Sequence, residues 1–284
     1  MRNRRHFMTL MAASAAATGA GLLPAQAWAQ AAGAVESAWS RVQRTQTLRI
    51  GAVNGAAPYY HKALGSQEWQ GFMIDFAQSF AASLGVKLAI TETTWGNSVL
   101  DLQSNKIDVF FGINPTPARA EVIDFSDPLF SNAFVFVARK GLEVKTWADV
   151  NKPEIKIAVD LGSSHDQAVT KLAPKATITR LEKAADATLA VQSGRADLQV
   201  LVPVLALTVV SKNPSIGRVI VPTPIEATTT TVGLRKEADP QMRAAVNKWI
   251  AAERAANRVR PVVLGNLEKL SGVKPEQVPS ELPF

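Results

Sequence analysis

One ten-residue pattern occurs twice in this chain. Leu100–Val109, Leu-Asp-Leu-Gln-Ser-Asn-Lys-Ile-Asp-Val, is echoed by Leu189–Leu198, Leu-Ala-Val-Gln-Ser-Gly-Arg-Ala-Asp-Leu, at a constant offset of 89 and with four identical positions. Each copy reads as a helix end, a tight turn carrying a base, and the start of an apolar strand. A chain that builds this unit twice is held to an α/β architecture. Two readings of the echo stand: two halves of like architecture facing one cleft, or two α/β units converging on one pattern. In open α/β sheets ligands bind beyond the carboxyl ends of the strands. Under the first reading the echo therefore points to Gly112–Asn114 after one strand and to Val202–Pro203 after the other.

The rest of the chain alternates in the same way. Leu48–Val53, Lys87–Thr91 and Ile107–Ile113 are expected strands, the last nearly all apolar, as for a strand covered on both faces. Between them Phe76, Phe80 and Leu84 recur at i, i+4 and i+8, a buried helix stripe that Gly85 closes. Asn97 is placed to cap a helix bearing Val99, Leu100 and Leu102. A second series follows Phe130. Strands are expected at Phe134–Ala138, Lys156–Val159, Thr177–Arg180 and Asp197–Val202, with one helix capped by Ser164 and another over Thr188–Gln192, ended by Gly194. Asp239-Pro240 predicts a further helix start with Pro at the first helical position, and Met242, Ala245, Val246, Trp249 and Ile250 on its buried face. Strand–helix–strand order of this kind implies open, parallel α/β sheets.

The first residues are not part of that pattern. Arg2, Arg4 and Arg5 precede an uncharged run from Thr9 to Leu23, and Ala27-Trp28-Ala29 has the small-x-small form of a cleavage site. The segment Asn3-Arg4-Arg5-His6-Phe7-Met8 resembles a twin-arginine export signal, the alternative being an ordinary secretory signal that has two arginines. Cleavage after Ala29 would leave 255 residues and lower the formal charge from +7 to +4, because the removed part carries three arginines and no acid. That mild charge, spread as single Lys and Arg residues, gives no argument for nucleic acid. There is no cysteine, which excludes disulfides, thiol catalysis and a lipid-modified cysteine after the signal. The expected product is therefore soluble in the periplasm. Three histidines without ligand spacing make a metal site improbable, and no cofactor is expected. The apolar run Leu198–Val210 is too short for a membrane span and contains Pro203.

Seven short motifs stand in order: Gly71-Phe-Met-Ile-Asp75-Phe, Ser104-Asn-Lys-Ile-Asp108-Val, Thr116-Pro-Ala-Arg119, Phe125-Ser-Asp-Pro-Leu-Phe130, Val159-Asp-Leu-Gly-Ser163, Ser193-Gly-Arg-Ala-Asp197 and Val232-Gly-Leu-Arg-Lys236. Through them the chain resembles family 3 of the bacterial extracellular solute-binding proteins, from about Leu48 to Leu270. The resemblance implies a type II periplasmic-binding-protein fold: two α/β lobes, parallel or mixed sheets with helices on both faces, and two hinge crossings, here near Ser131 and Thr228. It divides the chain into a signal peptide (1–29), one lobe (30–130 plus 229–284) and a second lobe (131–228). It also implies a monomer that takes a small carboxylate, an amino acid or an analogue, closes over it, and passes it to the permease of an ABC importer.

The resemblance assigns residues as well. Arg119 corresponds to the position that holds the ligand carboxylate, which suits a planar, two-pronged guanidinium; the alternative is a surface Arg paired with Glu121 or Asp124. Thr116 is expected to order that loop, and Gly112 and Asn114 to present main-chain groups. Ser163 and Ser164 approach the same carboxylate at a helix start, where free N–H groups favour an anion; one of them alternatively caps the helix. Tyr59, Tyr60 and Trp95 are candidate walls, with Trp95 alternatively a core residue. Asp75 is expected to be structural, and His61 and His165 to be surface-loop and helix-start residues. One departure bears on the ligand. Amino-acid receptors of this family place an acid for the α-ammonium where this chain has Val202 and Pro203. Either Asp166 or Glu226 supplies the charge, or the ligand has no amine. Two other functions fit the same fold: a dehydratase acting on cyclic carboxylates with Glu226 or Asp166 as proton donor, and a binding protein serving a periplasmic sensor or oxidoreductase.

Overall fold

The pattern that repeats in sequence repeats in three dimensions. Asn105 and Gly194, 89 residues apart, both adopt left-handed backbone (φ 59° and 73°) in the turn between helix and strand. Three residues on, Asp108 and Asp197 each sit where the next strand begins. Asp108 accepts the main-chain N–H of Arg49 at 2.7 Å, and Asp197 that of Lys156 at 2.9 Å. Each also pairs with arginine: Asp108 with Arg41 and Arg49, Asp197 with Arg139. An aspartate at this position pins the start of its own strand to the start of the neighbouring one.

A computed structural model describes residues 36–63 and 65–278; the expected signal peptide lies outside them. Helix α1 (Ala38–Thr45) leads into β1 (Thr47–Val53), the two-residue strands β2 (His61–Lys62) and β3 (Trp69–Gln70), α2 (Phe72–Ser83), β4 (Lys87–Thr93), α3 (Asn97–Gln103), β5 (Val109–Ile113), α4 (Pro117–Ala120) and β6 (Ile123–Phe125). Then come β7 (Phe130–Ala133), β8 (Val135–Arg139), α5 (Trp147–Val150), β9 (Lys156–Asp160), α6 (Ser164–Leu172), β10 (Thr177–Leu181), α7 (Ala184–Gln192), β11 (Leu198–Leu201), α8 (Pro203–Lys212) and β12 (Gly217–Ile220). The chain ends with β13 (Ala227–Arg235), α9 (Gln241–Ala255) and α10 (Val259–Ser271).

Two mixed sheets result. The first has the order β4-β1-β5-β13-β6, with β7 also on β13, and the second the order β10-β9-β11-β8-β12. In each, the strands of the βαβ units are parallel, and a strand from elsewhere in the chain (β13 or β8) joins antiparallel. The echo strands β5 and β11 are central and wholly buried, which is why both sequences are apolar on both faces. The chain passes between the sheets at β7 and again at β13. These two passages pair antiparallel, Thr228 opposite Asn132 and Thr229 opposite Ser131.

Three helix starts differ from expectation by one position. Asn97 is the first residue of α3, and its N–H is taken by Thr94 Oγ1, so Thr94 does the capping. Ser163, not Ser164, caps α6 by accepting from Asp166 N. Pro240 precedes α9, and Asp239 accepts from Gln241 N. The apolar run Leu198–Val210 is a buried strand followed by a helix with Pro203 at its start. Among the described residues no helix is long and apolar enough to cross a membrane.

Candidate functional site

Arg119 lies on the single turn α4, beyond the carboxyl end of β5. Pro117 starts that turn, and Thr116 caps it by accepting from Arg119 N at 3.3 Å. The turn carries the Arg119 side chain inward until it is 4% exposed. Its partners are main-chain carbonyls: Asn114 O at 2.8 Å, Gly162 O at 3.1 Å and Trp95 O at 3.5 Å. Neither Glu121 nor Asp124 takes part. Three carbonyls use at most three of five N–H groups, so donors remain for an anion. Burial lowers the guanidinium pKa to about 10, and the charge of Asp160 works against that fall. The group is a cation at neutral pH.

The second sheet faces it with the ends of β9 and β11. After Asp160 the chain turns at Gly162 and enters α6, whose first residues Ser164 and His165 are buried. A positive helix end directed at a cation's ligand favours negative charge on that ligand. The ends of the two sheets meet around a small, narrow cavity. Tyr59, Trp95, Gly112, Asn114 and Arg119 line it from the first sheet's side, and Ser163, Ser164, His165, Val202 and Leu205 from the second's. Gly112 has φ of 81°, and a side chain there would meet Met73 at 3.1 Å. Past Trp95 the space widens into two open recesses of about 920 and 1080 Å³.

Three buried polar atoms around this space have no hydrogen-bond partner: Trp95 Nε1, Asn114 Nδ2 and Asp160 Oδ2. Buried polar groups are ordinarily paired. The three are two donors and one acceptor, and Trp95 and Asn114 line the cavity together with Arg119. Tyr59 forms a wall and is itself fixed: its oxygen accepts from Asn132 Nδ2 at 3.0 Å, and Asn132 also donates to Thr230. Burial raises the Tyr59 pKa to about 12, against the lowering effect of Thr230 and Asn132.

Two expected site residues do not reach the cavity. Tyr60 is fully buried beneath it, donating to Phe111 O at 2.6 Å and packed against Trp95 and Phe110. Tyr59 lies in a turn and Tyr60 in the bridge to Ala56 that follows it, and the two rings go to different places. Thr116 stays on the far side of its turn as a cap. Trp95, with both roles open in sequence, is half-buried, lining the cavity and also packing on Tyr59, Tyr60 and Phe110. Asp75 accepts from Asn266 and ties α2 to α10.

The two acids considered for the ligand amine lie elsewhere. Asp166 pairs with Arg180 at 2.7 Å and accepts from Gly162 N. Glu226 is half-exposed, 3.7 Å from Lys171. His165, expected at a helix start, is the second residue of α6 and is 5% exposed, its Nδ1 lying 3.1 Å from Asp160 Oδ1. Leu205, His165 and Asp160 were not legible as site residues. Asp160 stood inside a quoted motif, at the carboxyl end of a strand, and that position was its only signal.

The model of the bacterial extracellular solute-binding proteins, family 3, matches residues 48–260. The chain is 28% identical to the L-cystine-binding protein TcyJ of Escherichia coli over 135 residues, 46% of this chain and 50% of that protein. It is 30% identical to the glutamine-binding protein GlnH of Bacillus subtilis over 136 residues, 46% of this chain and 50% of that protein. The chain thus spans about half the length of these relatives. Among solved structures it resembles an ancestral amino acid-binding protein described as a precursor of cyclohexadienyl dehydratase, with 29% identity, a TM-score of 0.72, and coverage of 83% of this chain and 99% of that one. It also resembles an amino acid ABC transporter substrate-binding protein from Streptococcus pneumoniae bound to L-arginine, with 26% identity, a TM-score of 0.73, and coverage of 82% and 98%.

Proposed function

Because the chain belongs to family 3 of the bacterial extracellular solute-binding proteins, we propose that it captures an amino acid or a closely related small carboxylate and delivers it to an ABC importer in the inner membrane. The observation that carries this reading is Arg119, a buried cation with spare donors in a cavity walled from both sheets. In this reading the lobes are 30–130 plus 229–284 and 131–228, and the paired strands β7 and β13 form the hinge between them. Ligand contacts made from both lobes shift the population toward the closed form. The ligand carboxylate lies between Arg119, Asn114 and the start of α6, with Tyr59, Trp95, Val202 and Leu205 as walls. Gly112 supplies main-chain contact, and Ser163 and Ser164 bound the carboxylate on the far side.

The chain acts as a monomeric binding protein and not as an enzyme. Of the two acids considered as proton donors for a dehydration, Asp166 is engaged by Arg180 and Glu226 lies outside the cavity. Export through the twin-arginine-like signal places it in the periplasm. A thermal-shift screen of amino and non-amino carboxylates tests the reading, since a ligand that binds only the folded state raises the melting temperature. A stabilising amino acid, with compaction in small-angle scattering, is the expected result. No shift with any carboxylate defeats it.

A further inference from the structure

Resting on that reading of the cleft, we infer that Asp160 is the receptor for a cationic amine on the ligand, so that the site selects zwitterions over plain carboxylates. Asp160 ends β9 and is 3% exposed. One oxygen, Oδ1, is taken by His165 Nδ1, while Oδ2 is buried with no partner. The residue borders the recess that continues from the cavity past Trp95, and His165 and Ser163 beside it line the cavity itself.

Strand register explains how an acid comes to serve here. β9 and β11 run parallel, with Ile157 opposite Leu198 and Ala158 opposite Gln199. Continuing that register brings Asp160 level with Leu201, one residue before Val202. The carboxylate that is missing from the end of β11 is thus present at the end of the adjacent strand. Val202 is then an apolar wall next to the acid.

The balance of buried charge points the same way. Arg119 and Asp160 are a buried cation and a buried anion, and His165 lies against Asp160. A carboxylate without an amine adds a buried anion and offers Asp160 no donor, and an uncompensated buried charge is costly. A zwitterion adds no net charge and gives Asp160 Oδ2 the donor it lacks. Burial pushes the Asp160 carboxyl up, but the charge and hydrogen bond of the neighbouring His165 imidazole lead the effects that outweigh burial and hold it below the usual carboxylate range. It is an anion at neutral pH.

Calorimetry on the full chain tests this. The probes are the common α-amino acids and L-cystine, with deaminated partners for two of them: 4-carbamoylbutanoate for glutamine and 5-guanidinopentanoate for arginine. The wild type is expected to bind its preferred amino acid about tenfold or more tighter than the matching deaminated acid. Asp160→Asn, which keeps the shape and removes the charge, is expected to shrink that preference to about threefold or less by weakening the amino acid alone. Equal wild-type affinity for acid and amino acid overturns the inference while leaving Arg119 as the carboxylate site, and needs no variant to fold. An intact preference in Asp160→Asn overturns it too, since the amine is then held elsewhere. Binding of no α-amino acid removes both this inference and the reading beneath it.

Discussion

Arg119 donates from Nη2 to the main-chain carbonyl of Gly162 at 3.1 Å, a bond that runs from the first sheet's side of the cleft to the second's. A Cβ on Gly162 would lie 3.1 Å from Gly96 Cα, so backbone meets backbone directly beside that bond. The proposed anchor for a ligand carboxylate is therefore also a contact that joins the two sides. Binding and closure share one side chain.

Arg119→Ala removes a charged hydrogen-bond partner worth about 1.5–3 kcal/mol. Ligand affinity is expected to fall from about tenfold to over a hundredfold by calorimetry. Arg119→Lys keeps the charge but loses the fork, and is expected to fall between wild type and Ala. Unchanged affinity in both variants removes Arg119 from the site.

Gly162→Ala tests closure while keeping every side-chain polar group. Gly162 has φ of 71°, which a side chain strains, and the added carbon presses on Gly96 backbone, which cannot rotate away. Affinity is expected to fall by about tenfold or more, with reduced compaction on ligand addition in small-angle scattering. Wild-type compaction and affinity would show that the two glycines need not touch.

Acid stability should report on Glu253. It accepts from Arg258 Nε at 2.9 Å and from Ser79 Oγ at 2.9 Å, and Ser79 in turn accepts from Trp249 Nε1 in the core. The hydrogen bond from Arg258 is the main cause holding its carboxyl below the ordinary 4.5. A depressed folded-state pKa gives stability that is complete above the unfolded value and lost as pH falls through the folded one. Glu253→Gln is expected to flatten the melting-temperature profile below about pH 4.5 and to leave ligand affinity at neutral pH unaltered. An unchanged acid limb contradicts the assignment.

Export can be tested apart from binding. Replacing Arg4 and Arg5 together by Lys is expected to abolish appearance in the periplasm if the twin-arginine reading is right. Fractionation and immunoblotting read the outcome, and normal export of this variant favours the ordinary secretory route.

The sequence by itself determined the periodic part of this protein. Apolar runs at Val109–Ile113 and Leu198–Leu201 are buried strands because residues covered on both faces must be apolar throughout. The Thr-Pro-x-Arg turn fixed Arg119 at the end of one of them through local capping chemistry alone. Tertiary structure decided what lay across the chain. Tyr59 and Tyr60 are adjacent and alike in sequence, and only the packing of β1, β5 and the Trp95 loop sends one to the cavity and the other to Phe111 O. His165 reads as a polar helix start until the sheets meet and bury it. Asp160 carries no local mark of function. The role proposed for it rests on lying beside β11 in the sheet, a relation between residues far apart in the chain that no local pattern encodes.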